Sequence, residues 1–185
     1  MNHALQAAGA PNRLAMALVL SVGVALLGCQ KETRSRMNPR LEPDRLAQEL
    51  IRIGEDGIAK ENDAAFEAYF ARDFVFHGPG GDLSRADLKA FFAAMRNAFT
   101  GLTVSRDRIL VQGNIVAART RMSGVFDHEF PFTPIGAVQP TGKPLSFYIH
   151  NFFRYDEDGR LAEEWAQFDN LGFLRQLGVA LTIQK

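Results

Sequence analysis

The sequence predicts an α+β domain over residues 43–185, with helices in its first half and an antiparallel sheet in its second. Two observations support this fold class. Apolar residues recur at helical spacing up to Gly101, and from Leu102 onward the pattern changes to strands separated by turn residues. Helices followed by strands along the chain are typical of a sheet that carries its helices on one face.

The helical half begins at Pro43 and Asp44, because proline suits the first turn of a helix and an acidic side chain is stabilised there. Residues 74–77 then predict a short strand that stops at a glycine- and proline-rich turn. Ser84 and Asp87 form a capping-box pattern that begins a further helix. The apolar residues at helical spacing, in chain order, are Leu46, Leu50, Ile53, Phe66, Tyr69, Phe70, Leu88, Phe91, Phe92, Met95 and Phe99.

The first predicted hairpin joins residues 103–111 to residues 115–126. Gly113 and Asn114 lie between them and favour a tight turn. Residues 127–145 are rich in proline and glycine, so we expect a long loop between this hairpin and the next one.

The second predicted hairpin joins residues 146–155 to residues 160–169, and a short helix follows at 171–177. With a two- or four-residue turn, even-numbered residues of the first strand share a face with odd-numbered residues of the second. One face then carries Tyr148, His150, Phe152 and Arg154 beside Glu163, Trp165, Gln167 and Asp169. The other carries Phe147, Ile149, Asn151 and Phe153 beside Ala162, Glu164, Ala166 and Phe168. The first face mixes aromatic and titratable groups, as ligand pockets do, so we expect it to line a pocket.

Composition excludes several classes of function. The chain has 185 residues with 21 basic and 21 acidic side chains, so it lacks the basic excess typical of nucleic-acid binding. Its single cysteine excludes a disulfide framework and a cysteine-rich metal site. Residues 127–129 (Asp-His-Glu) are adjacent and point in different directions on a strand, so we expect no metal site there.

Residues 1–28 have the features of a lipoprotein signal peptide. They contain no acidic residue, and the apolar run 14–27 is too short to span a bilayer of roughly 30 Å. The segment Leu-Leu-Gly-Cys that ends at Cys29 resembles a bacterial lipobox, in which the cysteine is lipidated. The alternative is an ordinary secretory signal with an incidental cysteine.

Residues 29–42 are polar and read as a flexible tether between the lipid and the domain. We therefore expect a protein of the bacterial cell envelope that is held to a membrane by its lipid. Gln30, rather than aspartate, follows the cysteine, which favours the outer membrane and a domain that faces the periplasm.

Four segments together carry a resemblance to a known family. They are residues 74–79 (Phe-Val-Phe-His-Gly-Pro), 140–143 (Pro-Thr-Gly-Lys), 153–160 and 164–178. In this order and spacing they resemble the SnoaL-like polyketide cyclases, or ester cyclases, of the nuclear transport factor 2-like superfamily. The resemblance implies a cone-shaped, curved antiparallel sheet with N-terminal helices packed on its concave face. It also implies an aldol-type ring closure without metal or cofactor, in which an acidic side chain removes a proton next to a carbonyl.

The resemblance identifies Asp169 as the first candidate acid or base, because it closes the family's Trp-x-x-x-Asp pattern. The alternative is that Asp169 only caps the helix that follows. Many members also carry an acid directly after the tryptophan, and Ala166 stands there in this chain. We expect His150 to act with Asp169, the alternative being a buried histidine with a structural hydrogen bond. His77 precedes Gly-Pro as in the family and is either a ligand-binding or a structural residue.

These observations predict a pocket for a small apolar molecule, with Tyr148, Phe152, Trp165 and Gln167 among its binding residues. Three functions remain open. The first is an enzyme that carries out cofactor-free lyase, cyclase or isomerase chemistry on a carbonyl compound. The second is a lipoprotein module that binds a small ligand without converting it. The third is a homodimer-forming structural domain that associates through Phe147, Ile149 and Phe153.

Overall fold

Four α-helices and six β-strands follow one another in residues 38–180, the part of the chain that the computed structural model describes. The predicted signal peptide, the lipidation site Cys29 and most of the tether lie outside these residues. Within them, no helix is both long enough and apolar enough to cross a membrane. The α+β fold predicted from the sequence is confirmed.

The helices are α1 (Pro43–Arg52), α2 (Asp63–Tyr69), α3 (Arg85–Ala98) and α4 (Asn170–Gln176). A wide π-type turn, Ile53–Ile58, continues α1. The capping box predicted for α3 is present: the Asp87 backbone N–H donates to Ser84 Oγ at 3.2 Å, and the Ser84 N–H donates to the Asp87 carboxylate at 3.1 Å. This reciprocal pair satisfies two backbone donors at the start of α3 and fixes where the helix begins.

The strands are β1 (Phe70–Gly78), β2 (Gly81–Ser84), β3 (Phe99–Gln112), β4 (Ile115–Phe126), β5 (Pro144–Tyr155) and β6 (Leu161–Phe168). They form one curved, open sheet in the order β2-β1-β6-β5-β4-β3. The β1–β6 pair is parallel and the other four pairs are antiparallel. Because residues 79–160 separate β1 from β6, no turn signal in the sequence could have indicated their parallel pairing.

The register of the second hairpin agrees with the predicted sharing of faces. His150 lies opposite Gln167 and Phe152 lies opposite Trp165. The hairpin closes through a turn in which Gly159 has φ +72°, and a Cβ there would fall 2.9 Å from the Arg40 carbonyl oxygen. Glycine is therefore required by both the backbone angle and the close approach of the chain.

The helices cover one face of the sheet and bury two groups of apolar side chains there. One group joins Leu46 and Leu50 of α1 to Phe153 of β5, and the other joins Met95 of α3 to Met122 of β4. Phe91 and Phe92 of α3, which are partly buried, pack against both groups. The covered, concave face is therefore the one that carries the odd-numbered residues of β5.

Candidate active site

A cavity of about 570 Å³ lies between the helices and the concave face of the sheet. Its walls are mostly apolar, with Leu88, Phe91 and Met95 from α3 and Phe147, Ile149 and Phe168 from the sheet. Exposed residues of the β1–β2 turn (79–81) and of the loop after β4 (131–134) also line it, and so form its opening. A volume of this size suits a small organic molecule.

Three polar side chains from neighbouring strands form a hydrogen-bonded chain in the wall of this cavity. Thr120 Oγ1 on β4 donates to Asn151 Oδ1 on β5 at 2.8 Å. Asn151 Nδ2 in turn donates to Glu164 Oε1 on β6 at 2.7 Å. All three residues are buried, and all three line the cavity. The chain fixes the orientation of the amide, because its oxygen and its nitrogen are both engaged.

Glu164 is a carboxyl group held away from water. Glu164 is only 8% exposed. Burial raises the pKa of Glu164 to about 7, and the Arg106 charge and the Asn151 hydrogen bond offset only part of that rise. A carboxyl group with a pKa near neutrality can both accept and release a proton under physiological conditions.

Arg106 of β3 brings a positive charge to the same cavity. Its Nη1 donates to the Leu50 carbonyl oxygen at 2.6 Å, and its guanidinium carbon lies 5.7 Å from the centre of the Phe153 ring. Gly54 makes room for it, because a Cβ at that position would fall 2.3 Å from Nη1. The end of α1 and the turn after it therefore hold this guanidinium in place.

The prediction that the Tyr148 face lines the pocket is wrong, because that face is the outer, convex one. Tyr148, Phe152 and Trp165 are 46%, 56% and 38% exposed, and Gln167 is exposed as well. None of these four ligand-binding candidates is among the residues that line the cavity. The outer face has the mixture of aromatic and titratable side chains that was expected of a pocket, whereas the face that lines the cavity is more uniformly apolar.

The predicted catalytic pair is not brought into the cavity either. Asp169 Oδ1 accepts a hydrogen bond from the Gly172 N–H at 2.8 Å and so caps α4, which is the alternative role that its position allowed. His150 lies exposed on the outer face, opposite Arg119 in the sheet. Neither side chain lines the cavity.

His77 also lies on the outer side of the sheet. Its Nδ1 is 2.8 Å from Asp82 Oδ1, its Nε2 is 3.3 Å from Glu163 Oε1, and its ring stacks on Trp165 at 5.3 Å. The hydrogen bond to Asp82 and the neighbouring Glu163 raise the pKa of His77. The predicted ligand contact is therefore wrong, and the structural role is the one observed.

The proposed dimer contact through Phe147, Ile149 and Phe153 is wrong, because these side chains lie on the covered, concave face. Phe147 and Ile149 line the cavity, and Phe153 belongs to the buried core. The sequence analysis missed Glu164, Asn151, Thr120 and Arg106 as site residues. A usable signal existed for two of them, because Asn151 and Glu164 were the only polar residues assigned to an otherwise apolar face.

Among residues 38–180, no three Asp, Glu, His or Cys side chains are grouped so that they could hold a metal ion.

The family model of SnoaL-like polyketide cyclases matches residues 48–177. Similar solved structures include IdmH of Streptomyces antibioticus, a proposed polyketide cyclase, with 26% identity, a TM-score of 0.58 and coverage of 75% of this chain and 99% of that one. A proposed SnoaL-like polyketide cyclase from Jannaschia sp. CCS1 is 19% identical, with a TM-score of 0.64 and coverage of 80% and 98%.

A third similar structure is AclR of Streptomyces galilaeus, a proposed hydroxylase, with 22% identity, a TM-score of 0.60 and coverage of 77% and 97%. No curated protein matches the sequence. Proteins of this fold are described as a hydroxylase and as cyclases, so the fold alone does not determine the reaction.

Proposed function

This chain belongs to the SnoaL-like polyketide cyclase family, and on that premise we propose that it catalyses cofactor-free acid–base chemistry on an apolar carbonyl compound, with Glu164 as the group that transfers the proton. The observation that carries the proposal is a single buried carboxyl group, tuned to a pKa of about 7, in the wall of an apolar cavity. Cyclisation, isomerisation and elimination next to a carbonyl all begin with such a proton transfer.

The proposed first step is removal of a proton from the carbon next to the substrate carbonyl. The Glu164 carboxylate accepts the proton, the C–H bond breaks, and its electron pair moves into an enolate. The enolate then either attacks a second carbonyl carbon of the same molecule, which closes a ring, or takes the proton back from Glu164 at another carbon. In both cases an oxygen or carbon of the product finally receives the proton, and Glu164 returns to its starting form.

The hydrogen-bonded chain supports this role of Glu164. Asn151 donates to one oxygen of the Glu164 carboxyl group, and Thr120 keeps the amide turned that way. The other oxygen, Oε2, makes no hydrogen bond to any residue in the described range 38–180. We infer that this oxygen is the one that exchanges a proton with the substrate.

The apolar walls contribute in two ways. They exclude water, which keeps the Glu164 carboxylate poorly solvated and therefore more basic than an exposed one. They also confine a flexible substrate, and holding two reacting carbons together lowers the entropic part of a ring-closure barrier.

The test is hydrogen–deuterium exchange of an apolar ketone, 2-tetralone, followed by proton NMR in D2O. We expect the wild-type protein to accelerate exchange of the protons next to the carbonyl. Glu164→Gln should lose roughly a hundredfold of that acceleration, since the amide cannot act as a base. The matched control is Glu163→Gln, because Glu163 is the neighbouring carboxylate on the outer face. Equal acceleration by wild type and Glu164→Gln would overturn the assignment.

A second candidate function is a binding module that holds an apolar ligand without converting it. It is favoured by Ala166, which lines the cavity where many family members carry an acid. Native mass spectrometry of the detergent-extracted protein separates the two proposals. A chemically intact compound that co-purifies, together with no exchange of 2-tetralone, would favour the binding module.

We also propose that Cys29 is lipidated and that the domain is held at the outer membrane, facing the periplasm, as the lipobox-like segment and Gln30 after it indicate. Such a location disfavours substrates that are carried on cytoplasmic proteins. It favours free, membrane-soluble compounds, which an apolar cavity would accept.

A further inference from the structure

Arg106 is a charged residue of the cavity whose charge lowers the pKa of Glu164 without forming an ion pair within the described residues. Among residues 38–180 it forms no ion pair with an aspartate or glutamate. Glu164 shares the cavity with Arg106, but the two side chains do not form an ion pair either. The Leu50 carbonyl and the Phe153 ring, which contact the guanidinium, are both uncharged.

One edge of this guanidinium has donors without acceptors. Nη1 is engaged by Leu50, whereas Nε is buried and has no hydrogen-bond partner in the described part of the chain. Nη2 likewise donates to no residue between 38 and 180. Because Nε is fully buried, Nη2 is the donor that a ligand in the cavity can reach. A donor without an acceptor at a cavity wall indicates a place for a ligand atom.

Arg119, on the next strand, shows what this edge can bind. Its Nε and Nη2 donate side by side to the two carboxylate oxygens of Asp107, at 2.8 and 2.6 Å. Arg119 lies on the outer face and finds its carboxylate on the neighbouring strand. Arg106 carries a guanidinium on the cavity side and forms no ion pair with a carboxylate of residues 38–180.

We propose that Arg106 binds a carboxylate of the ligand, so that the molecule taken up by this cavity is an apolar carboxylic acid. This inference rests on the proposed function in so far as the same cavity receives the substrate. It adds the substrate class: an apolar keto acid, with its carboxylate at Arg106 and its reactive carbon near Glu164. The carboxylate would accept a charge-assisted hydrogen bond from Nη2, the donor that no described residue engages.

The test compares 2-naphthylacetic acid with its methyl ester, which has nearly the same shape but no charge. Binding of each to the purified protein is measured by calorimetry at neutral pH. We expect the wild type to bind the acid roughly tenfold to a hundredfold more tightly than the ester. In Arg106→Met this preference should disappear, with the ester bound as before. Arg121→Met, which removes an exposed arginine from the outer face, is the matched control and should keep the preference.

Two further variants guard against a folding defect in Arg106→Met. Gly54→Ala retains the arginine but moves its end group, because the new Cβ would meet Nη1. It should weaken binding of the acid and leave binding of the ester unchanged. Arg106→Lys keeps the charge without the guanidinium and should restore part of the preference.

The outcomes also separate this inference from the proposed function. Equal binding of acid and ester by the wild type, or binding of neither, would overturn the role of Arg106. A preference for the acid that survives Arg106→Met would overturn it as well. Glu164→Gln should keep the preference for the acid while losing 2-tetralone exchange. A preference that depends on Arg106, found together with exchange that does not depend on Glu164, would support this inference and contradict the proposed enzyme mechanism.

Discussion

Asn151 donates a hydrogen bond to Glu164 across 2.7 Å, although the two residues are not opposite each other in the sheet. Asn151 lies opposite Ala166, and Glu164 lies opposite Phe153. Thr120, which donates to Asn151, is also displaced by two residues, since it lies opposite Ile149. The three side chains therefore connect diagonally across β4, β5 and β6. Thr120 fixes the orientation of the Asn151 amide, and that orientation directs the Asn151 N–H toward Glu164.

We predict that Thr120→Val raises the pKa of Glu164 further. Valine has nearly the shape of threonine but cannot donate to Asn151, so the amide loses its fixed orientation. Because the Asn151 hydrogen bond lowers the pKa of Glu164, a weaker bond should raise it above about 7. Carbon-13 NMR titration of the Glu164 carboxyl group measures the change. Thr103→Val breaks a comparable hydroxyl contact with Ser123 on the outer face and should not move it. If the titration midpoint of Glu164 is unchanged in Thr120→Val, the hydrogen bond from Thr120 to Asn151 does not affect the pKa of Glu164.

Glu164 should make the fold less stable as the pH rises. Its pKa is about 7 in the folded protein, compared with the usual 4.5. Between these values the folded state keeps a proton that the unfolded state has released, so the free energy of unfolding falls with rising pH. Glu164→Gln removes this term, and the variant should be more stable than wild type by up to ~3 kcal/mol above neutral pH.

Urea unfolding from about pH 3 to about pH 9 tests this prediction, with the gap between Glu164→Gln and wild type widening toward high pH. Glu163→Gln should change the pH dependence of the free energy of unfolding in the opposite direction. Its ion pair with Arg154 lowers the pKa of Glu163, so it contributes stability that is present at neutral pH and lost on acidification. A constant difference between Glu164→Gln and wild type at every pH would contradict the raised pKa.

Local signals in the sequence predict the four helices, most of the strands and the pairing within the two predicted hairpins, but not strand β2. The capping box at Ser84, the turn at Gly113 and the face sharing of His150 with Gln167 all depend on residues close in sequence. The parallel β1–β6 pair depends on contacts between distant residues and could not be predicted in this way.

The choice between the two faces of the sheet was the decisive failure for the site. Alternation shows which residues share a face but not which face the helices cover. Here both faces carry aromatic side chains, and the exposed set around Phe152 and Trp165 was the more polar one. The concave face is set by the packing of α1 and α3 and by the curvature of the sheet, which are tertiary properties. The sequence marks Glu164 as a polar residue on an apolar face, but only its burial shows that this face lines the cavity.

Asp169 should contribute to stability and not to catalysis. Its carboxylate caps α4, so Asp169→Ala should cost roughly 1 kcal/mol in the free energy of unfolding. Asp169→Asn retains a capping oxygen and should cost much less. Both variants should exchange 2-tetralone at the wild-type rate when compared at a temperature at which they are folded. Loss of exchange in the well-folded Asp169→Asn would return the catalytic role to Asp169.

Lipidation at Cys29 predicts that the full-length protein partitions with membranes when it is expressed in a bacterium. Two or more acyl chains hold a protein to a bilayer firmly, whereas the domain itself has no described membrane-spanning helix. Cys29→Ser should abolish metabolic labelling with a palmitate analogue and move the protein out of the membrane fraction. Labelling that persists in Cys29→Ser would contradict the lipobox interpretation.

The buried hydroxyl groups of Tyr69 and Tyr155 should be strongly coupled in stability. Their oxygens are 2.5 Å apart, and burial raises the pKa of both hydroxyls, so both remain protonated. Either single change to phenylalanine leaves the other hydroxyl buried without a partner, which costs roughly 1–3 kcal/mol. The double variant leaves no such group, so it should cost less than the sum of the two single changes.

A double-mutant cycle by urea unfolding measures this coupling. Tyr148→Phe on the exposed face is the control, and its free energy of unfolding is expected within about 0.5 kcal/mol of wild type. Additive costs would mean that each hydroxyl finds another partner when its neighbour is removed.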